Sequence, residues 1–287
     1  MATVLDGKVL GRKTLDALAG PIAAVREKRG SPPALAVILV GSNPASEVYV
    51  RNKTRRAEEI GVDLTVHRFP DAVTTGELLV MIGKLNDNAL VDGILVQTPL
   101  PAHIEVDAVM HAIDPNKDAD GFHPWNLGML AAGGSPIVAP CTPKGCMELI
   151  RHAGVRIDGA NAVVVGRSTI VGRPMGLMLL NANATVTMCH SHTSHLPELS
   201  RGADILVVAI GRPHFIREDW VKEGACVIDV GMNRLSDGSL VGDVDPACAS
   251  RAGVMTPVPG GVGPMTVAML LANTVALAAM HAGVEEV

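Results

Sequence analysis

The residues of this sequence that are best suited to chemistry begin with a tyrosine and a lysine one helical turn apart. Tyr49 and Lys53 follow Ser46 at positions i+3 and i+7, so all three share one face of a helix predicted over residues 45–60. The tyrosine and the lysine could act on a common substrate, with Ser46 capping the start of the helix. The competing interpretation is an amphipathic helix with Lys53 on a solvated face, where lysine usually lies.

Two more polar residues stand where predicted strands end. Gln97 follows the apolar run at 93–96, and Asp120 closes the sequence DAD at residues 118–120. Folds of the α/β class place ligand-binding groups at the carboxyl ends of parallel strands. Each residue also has an ordinary explanation, a strand-end hydrogen bond for Gln97 and an Asp-Gly turn for Asp120.

A glycine-rich turn marks a candidate nucleotide site in the second half of the chain. Gly166 ends the apolar run at 162–165, and Gly172 precedes a predicted helix that has Pro174 in its first turn. Glycine allows a phosphate to approach the backbone closely, and the start of a helix attracts anions. The spacing is not GxGxxG, so the turn alone is equally consistent with a connection that binds nothing.

The strand after this turn favours NADP over NAD. NAD-binding units carry an acidic residue about 20 residues beyond the glycine turn, where it accepts a hydrogen bond from the ribose 2′-hydroxyl. Here the run at 185–188 leads into CHSHT at 189–193, which contains no acid, whereas Arg167 and Ser191 are donors suited to a 2′-phosphate. The histidines nearby have no acid or suitably spaced cysteine beside them, so no metal site is predicted.

The elements that must position these residues are short apolar runs alternating with segments of helical period. Most runs are continuously apolar, as in parallel strands covered on both faces, and the alternation predicts an α/β fold. The stretch at 115–143 is rich in Gly, Pro and Asp and separates two α/β domains, with a site expected in the cleft between them. The predicted strands are 35–40, 64–69, 93–96, 162–165, 185–188, 205–209 and 226–230, and the predicted helices are 45–60, 75–86, 143–152, 173–180 and 264–281.

Composition excludes several other classes of protein. Of 287 residues, 48% are hydrophobic and 18% are charged, which is typical of a folded chain. The net charge is −5 without a basic block, so no nucleic-acid partner is expected. The longest apolar runs identified, 34–40 and 127–132, fall short of the roughly 18 residues of a membrane span, so no membrane partner is expected. Charged residues near the start argue against a signal peptide, and five scattered cysteines indicate reduced thiols in the cytoplasm.

Nine ordered segments of the chain resemble the bifunctional methylenetetrahydrofolate dehydrogenase/cyclohydrolase family. The resemblance covers nearly the whole chain. The segments are VGSNPASEVYVRNKTRRAEEIGV (40–62), DGILVQTPLP (92–101), DPNKDADGFHPWNLGML (114–130), PCTPKG (140–145), VVGRSTIVGRPMG (164–176), ATVTMCHSHT (184–193), VIDVGMNR (227–234), GDVD (242–245) and TPVPGGVGPMT (256–266).

The resemblance implies two α/β domains around a cleft, the second a Rossmann-like NADP-binding domain. Residues 1–139, joined by the C-terminal helix at about 264–287, would form the folate-binding catalytic domain, and residues 140–263 the NADP-binding domain. The implied activity is NADP-dependent oxidation of 5,10-methylenetetrahydrofolate to 5,10-methenyltetrahydrofolate, followed by hydrolysis to 10-formyltetrahydrofolate. The resemblance further implies a role in one-carbon metabolism and purine biosynthesis and a homodimer paired through the cofactor-binding domains, which we expect in the cytoplasm.

The resemblance also implies roles for individual residues. Lys53 matches the catalytic lysine, Tyr49 the tyrosine that stacks on and orients the substrate, and Gln97 the partner of the lysine. Asp120 matches the carboxylate that binds the pterin ring. The segment that lines the folate is matched by Pro259, Gly260 and Gly261. The cofactor-binding positions are matched by Gly166, Arg167, Ser168, Gly172 and Ser191, of which Arg167 and Ser191 would hold the 2′-phosphate.

Two other functions compete with this one. The first is a different NADP-dependent two-domain oxidoreductase, of the shikimate- or amino-acid-dehydrogenase kind, in which Lys53 and Asp120 act on another small acid. The second is a nucleotide-sensing module without catalytic activity. The combination of Tyr49, Lys53, Gln97 and Asp120 argues against a sensor, which has little need for that set.

Overall fold

The computed structural model describes residues 1–284, and the chain divides into two compact units. The three-stranded unit consists of Lys13–Ala139 and the chain from Met269 onward. The six-stranded unit consists of Met1–Arg12 and Pro140–Ala268. Each unit is built on a parallel sheet, which confirms the predicted α/β class.

Strands and helices alternate through most of the chain. The strands are β1 (Thr3–Val4), β2 (Ala34–Val40), β3 (Asp63–Phe69), β4 (Gly93–Val96), β5 (Asn161–Val165), β6 (Thr185–Cys189), β7 (Ile205–Val208), β8 (Cys226–Asp229), β9 (Asn233–Arg234), β10 (Leu240–Val241) and β11 (Val254–Met255). The α-helices are α1 (Gly7–Ala17), α2 (Ala19–Arg29), α3 (Pro44–Ile60), α4 (Thr75–Asp87), α5 (Val106–His111), α6 (Pro124–Ala131), α7 (Cys141–His152), α8 (Gly172–Asn181), α9 (Leu196–Arg201) and α10 (Val262–Ala282). Short 3₁₀ helices span Glu218–Trp220 and Pro246–Ser250.

Strand β2 forms the centre of the three-stranded unit. It pairs in parallel with β3 on one side and β4 on the other. Every β2 residue after Ala34 is buried, which accounts for its uninterrupted apolar sequence. Strand β3 lies at the edge and mixes exposed with partly buried residues. The carboxyl ends of β2 and β4 lead directly into the segments that carry Tyr49 and Gln97, and so the sheet positions both residues.

A buried carboxylate joins three segments of this unit. Asp92, just before β4, accepts hydrogen bonds from both terminal nitrogens of Arg29, each at 2.6 Å. His281 of α10 lies 3.1 Å from the same carboxylate. Burial works to raise the pKa of Asp92, but hydrogen bonds from Arg29, His281 and the Ala34 N–H outweigh it and hold the pKa below its usual range. The ionised carboxylate therefore stabilises the packing of α2 and α10 beside the sheet.

The six-stranded sheet has the order β1-β11-β8-β7-β5-β6, and its strands are all parallel. From β5 the chain passes to β6 on one side and then crosses to β7 on the other side of β5. The strand order therefore reverses between β5 and β7. Doubly wound sheets bind ligands in the crevice outside the carboxyl ends of the strands at such a reversal.

The first residues of the chain belong to a different unit from the one predicted. Strand β1 pairs with β11, with Thr3 opposite Val254, and the Leu5 N–H donates to the Met255 carbonyl. This pairing places Met1–Arg12 in the six-stranded unit, whereas the sequence assigned 1–139 to the first domain. A two-residue edge strand carries too little periodicity to be recognised from sequence.

Helix α10 is longer and more apolar than the sequence analysis allowed. Among the described residues, it is the helix whose length and composition would suffice to cross a membrane, which corrects the expectation that no segment reaches that length. However, 67% of its most apolar window is buried within the structure, as in the core helices of globular proteins. The division between the two units falls inside it, at Ala268 and Met269.

Candidate active site

The lysine singled out by its spacing is buried and hydrogen-bonded. Lys53 is only 8% exposed, and its Nζ donates to Oε1 of Gln97 over 2.9 Å. The amide of Gln97 is held in turn, because its Nε2 donates to the Thr98 carbonyl at 2.7 Å and its backbone N–H donates to the Ile38 carbonyl. The structure therefore contradicts the interpretation of Lys53 as a solvated surface residue. It places the amine at the carboxyl end of the sheet.

Helix α3 carries the lysine and begins in a way that the sequence analysis missed. Asn43 caps it, because the side-chain oxygen accepts from the N–H groups of Ala45 and Ser46, and Pro44 occupies the first turn. The prediction that Ser46 caps the helix was wrong. Ser46 is buried inside the first turn, where its hydroxyl has no hydrogen-bond partner among the described residues.

Tyr49 lies one turn before Lys53 on the same helix. Its side chain is 38% exposed, so the aromatic ring is available to a ligand. Partial burial raises the pKa of Tyr49, and the phenol therefore stays protonated at neutral pH. The neighbouring amine and phenol offer donors on one face of α3.

Asp120 lies at the same end of β4 as Gln97. Ile94 pairs in parallel with Asp118, so the residues after Asp118 run beside the end of β4. Asp118 holds this loop, since its carboxylate accepts from the N–H groups of Gly121 and His123. Asp120 itself is half-buried. The two aspartates of the DAD sequence thus differ: Asp118 shapes the loop, and Asp120 is positioned by it.

A residue far along the chain also supports this loop. Asn273 of α10 is fully buried, and its Nδ2 donates to the carbonyls of Ala119 (3.0 Å) and Ala139 (2.9 Å). The sequence analysis missed Asn273. The signal available was a single amide in the middle of a mostly apolar helix, which marks a buried polar group that needs partners.

The predicted cofactor turn is closely packed around its two glycines. Gly166 follows β5 with φ of 125°, and a Cβ there would overlap the Ala209 carbonyl. A Cβ at Gly172 would overlap the Gly166 carbonyl. Ser168 stabilises the turn through its hydroxyl, which accepts from the N–H groups of Val171 (3.1 Å) and Gly172 (3.3 Å). Only glycine permits this close approach at the start of α8.

Positive and donor groups lie beside this turn. Arg167 and Ser191 are both exposed. Strand pairing brings their loops together, because the Gly166 N–H donates to the Cys189 carbonyl at 2.9 Å. The pKa of His190 is lowered, mainly by partial desolvation and to a smaller extent by the charges of Arg167 and His192. The charge of Arg167 therefore acts on the loop after β6, where an anionic ligand group would be stabilised.

The segment of Pro259, Gly260 and Gly261 forms a tight turn before α10. The Val258–Pro259 peptide bond is cis, and Gly260 has φ of 112°. A Cβ on Gly261 would lie 2.7 Å from both the Pro257 carbonyl oxygen and the Thr256 Cβ. The turn belongs to the six-stranded unit. Its contact with folate stays a prediction.

Comparison with known families decides the relationship. Residues 5–120 match the catalytic domain of tetrahydrofolate dehydrogenase/cyclohydrolase, and residues 140–282 match the NAD(P)-binding domain of the same family. The chain belongs to the tetrahydrofolate dehydrogenase/cyclohydrolase family. The predicted resemblance is therefore confirmed. Lys53, Gln97 and Asp120 fall in the catalytic-domain match, and Gly166 and Ser191 fall in the NAD(P)-binding match.

Individual family members are similar over nearly the full length. The bifunctional protein FolD of Streptococcus suis is 53% identical over 95% of this chain and 96% of its own. The crystal structure of the bifunctional enzyme FolD from Campylobacter jejuni is 48% identical, with a TM-score of 0.94 over 97% of this chain and 99% of its own. The Trypanosoma brucei dehydrogenase-cyclohydrolase, solved with NADP cofactor and an inhibitor, is 38% identical, with a TM-score of 0.92 over 97% of this chain and 98% of its own.

The six-stranded unit contains two buried carboxylates that the sequence analysis did not single out. Asp229 ends β8, and Asp243 follows β10. Burial, more than the nearby Asp243, raises the pKa of Asp229 to about 6, although the N–H groups of Val244, Asp243 and Gly231 donate to it. The only signal was the position of Asp229 at a strand end. Within residues 1–284 no group of three or more His, Cys, Asp or Glu side chains could hold a metal ion.

Proposed function

We propose that this protein oxidises 5,10-methylenetetrahydrofolate with NADP and hydrolyses the resulting 5,10-methenyltetrahydrofolate to 10-formyltetrahydrofolate. The observation that carries the proposal is the 2.9 Å hydrogen bond between Lys53 and Gln97, with Tyr49 one turn away. A buried amine held by an amide oxygen suits proton transfer to and from a bound substrate. Both the Streptococcus suis and the Campylobacter jejuni relatives are bifunctional proteins of this family.

The two reaction steps differ in their need for proton transfer. Loss of a hydride from the methylene carbon leaves a resonance-stabilised cation, so this step needs no proton acceptor. Hydration of the cation and opening of the ring do need proton transfers, and Lys53 is the group we assign to them. Gln97 holds the Lys53 amine through its oxygen. The cationic substrate disfavours the charged form of that amine, so more of Lys53 is present as the neutral amine that can accept a proton.

We assign recognition of the pterin ring to Asp120 and orientation of the substrate to Tyr49. A carboxylate accepts paired hydrogen bonds from the 2-amino group and the adjacent ring N–H of a pterin. The loop that carries Asp120 is fixed by Asp118 and by Asn273. Tyr49 presents a half-exposed ring on which a flat substrate can stack.

The six-stranded unit suits a dinucleotide with a 2′-phosphate. When bound, NADP supplies the hydride acceptor. The closely packed turn at Gly166 and Gly172 leads into the start of α8, where backbone N–H groups attract a phosphate. Arg167 and Ser191 supply donors beside it, and residues 189–193 at the end of β6 include no acid to repel a 2′-phosphate. The Trypanosoma brucei relative was solved with NADP, which supports NADP as the cofactor here.

The deciding experiment is an assay of methylenetetrahydrofolate oxidation with NADP and with NAD in parallel, followed by absorbance of the reduced cofactor. We expect turnover with NADP and much weaker turnover with NAD. Shikimate and amino acids serve as comparison substrates. Turnover of these instead of the folate would support the other oxidoreductase, and folate binding without any turnover would support the sensor.

We further propose that the protein works in the cytoplasm as a homodimer paired through the six-stranded unit, and that its product feeds purine biosynthesis. The five cysteines, all among the described residues, are buried and form no disulfide bond, as expected of a protein in a reducing compartment. A net charge of −5 argues against a nucleic-acid partner. Size-exclusion chromatography with light scattering measures the molecular mass of the protein in solution. A mass equal to that of one chain would exclude the dimer.

A further inference from the structure

Asp243 is a buried carboxylate with no part in the function proposed above. It lies in the GDVD sequence after β10, and its side chain is inaccessible to solvent. Its Oδ2 accepts from the backbone N–H groups of Ile210 (2.7 Å) and Gly211 (2.9 Å). Its Oδ1 accepts from the N–H of Arg212 (2.8 Å) and from Nδ2 of Asn233 (2.9 Å). Each oxygen therefore satisfies two donors, and three of the four belong to consecutive residues of one loop.

That loop lies where the sheet order reverses. It follows β7, and Ala209 at its base donates to the Val165 carbonyl of β5 at 2.8 Å. The Ala209 carbonyl lies so close to Gly166 that a side chain there would overlap it. Residues 210–212 and the turn at Gly166 are thus the loops after the two strands that border the reversal, which is where dinucleotides bind in doubly wound sheets.

The hydrogen bonds require a carboxylate and not merely a polar side chain. All four partners of Asp243 are donors, and an ionised carboxylate offers acceptors on both oxygens. An asparagine of the same shape would accept at one oxygen and would turn its own NH₂ toward the remaining donors. Because charge-assisted hydrogen bonds are about twice as strong as neutral ones, Asp243 holds the loop more firmly than an amide would.

The segment that carries Asp243 is itself fixed by Asp229. Oδ1 of Asp229 accepts from the Asp243 N–H at 3.0 Å, and Oδ2 accepts from the Val244 N–H at 2.9 Å. Side chains at Gly231 or Gly242 would overlap the carboxyl groups of Asp243 and Asp229, respectively. The two buried carboxylates thus form a support that starts at the end of β8 and reaches the loop after β7.

We propose that Asp243 is a positioning residue for the dinucleotide, acting through the backbone of residues 210–212. This inference rests on the proposed function, because it takes the crevice beside Gly166 to hold NADP. Asp243 does not touch the cofactor. It keeps the loop after β7 in one conformation. Binding of the dinucleotide then does not include the entropic cost of ordering that loop, and the affinity is higher.

The test compares NADPH binding with the two activities in Asp243→Asn. NADPH affinity is measured by fluorescence titration without folate, and cyclohydrolase activity is measured on methenyltetrahydrofolate without NADP. We expect the dissociation constant for NADPH and the KM for NADP to rise about tenfold, as the loss of hydrogen bonds to a charged group implies. The cyclohydrolase rate is expected to stay within about twofold of wild type, since Lys53, Gln97 and Asp120 lie in the other unit.

Asp245→Asn is the matched control. Asp245 is two residues away and accepts from the Ala247 N–H at 2.9 Å at the start of a 3₁₀ helix, and we expect NADPH affinity to be unchanged. Should Asp243→Asn fail to fold, Asn233→Ala removes one of the four donors and leaves the carboxylate in place. We expect it to weaken NADPH binding in the same direction by a smaller factor.

Unchanged NADPH affinity in the folded variants would overturn the proposal, as would equal losses in NADPH binding and in cyclohydrolase activity. The latter pattern would show that Asp243 only supports the fold. Failure of the proposed function gives a different result. In that case the wild type would not oxidise methylenetetrahydrofolate, while the NADPH titrations of the variants would still decide the role of Asp243.

Discussion

Replacing Lys53 with methionine separates proton transfer from the other tasks of the site. Methionine has nearly the same length and suits a position that is 8% exposed, so packing is largely kept. The variant loses the 2.9 Å hydrogen bond to Gln97. Because Gln97 is only half-buried, water can replace that donor, and we expect a loss of about 1 kcal/mol in the free energy of unfolding.

The expected loss of activity is much larger than this loss of stability. General acid–base catalysis contributes about 10²–10⁴-fold, so cyclohydrolase activity should fall by that factor, equivalent to roughly 2.7–5.5 kcal/mol of activation free energy. Hydride removal needs no proton acceptor, and dehydrogenase activity should fall by less than about tenfold. Methenyltetrahydrofolate would then accumulate and be seen by its own absorbance.

Both rates are measured on one preparation of Lys53→Met, with folding checked by circular dichroism. Lys84→Met is the matched control, since Lys84 is an exposed lysine of α4 in the same unit. We expect the control to keep both activities. Equal losses of the two activities in Lys53→Met would refute the reasoning and would make Lys53 a residue that positions the substrate.

Three further substitutions test other parts of the structure. Arg167→Ala should raise the KM for NADP far more than the KM for NAD, because NADP would lose about 1.5–3 kcal/mol of binding free energy. Equal effects on the two KM values would exclude contact between Arg167 and the 2′-phosphate. Asp120→Ala should reduce both activities together while NADPH titration shows unchanged affinity; a loss of that affinity would indicate a structural role. Asp92→Asn leaves Arg29 without its anionic partner and should lower the free energy of unfolding by about 3 kcal/mol at neutral pH, measured by urea denaturation. Because the pKa of Asp92 is lowered on folding, the difference from wild type should shrink as the pH falls through that pKa, and a constant difference would contradict the ion-pair explanation.

The sequence predicted the site wherever strand ends and helical spacing carry information. Periodicity located α3 to within one residue of its start, and the apolar run of β4 led to Gln97. The sequence did not identify the cap of α3, which is Asn43 and not Ser46. Both residue types are good helix caps, and they lie only three positions apart, so the pattern alone does not distinguish them.

Contacts between distant parts of the chain could not be predicted in this way. Lys117 lies in a stretch interpreted as a domain junction, yet its buried ammonium donates to three carbonyls at the end of α4, those of Leu85, Asn86 and Asn88. Asp243 holds a loop more than thirty residues before it. Such partners depend on strand order, which a periodic pattern does not specify.

The crossing of the chain between the two units has a consequence for how the gene can be divided. A fragment that ends at Ala139 would lack Ala278 and Ala279, which pack on Val25 in the three-stranded unit. A fragment that starts at Pro140 would lack β1, which forms the edge of the six-stranded sheet. Each unit therefore takes a segment from the other half of the coding sequence to complete its fold. Expressing either unit alone would therefore mean joining segments from both halves of the gene, as Lys13–Ala139 with the chain from Met269 onward, or Met1–Arg12 with Pro140–Ala268.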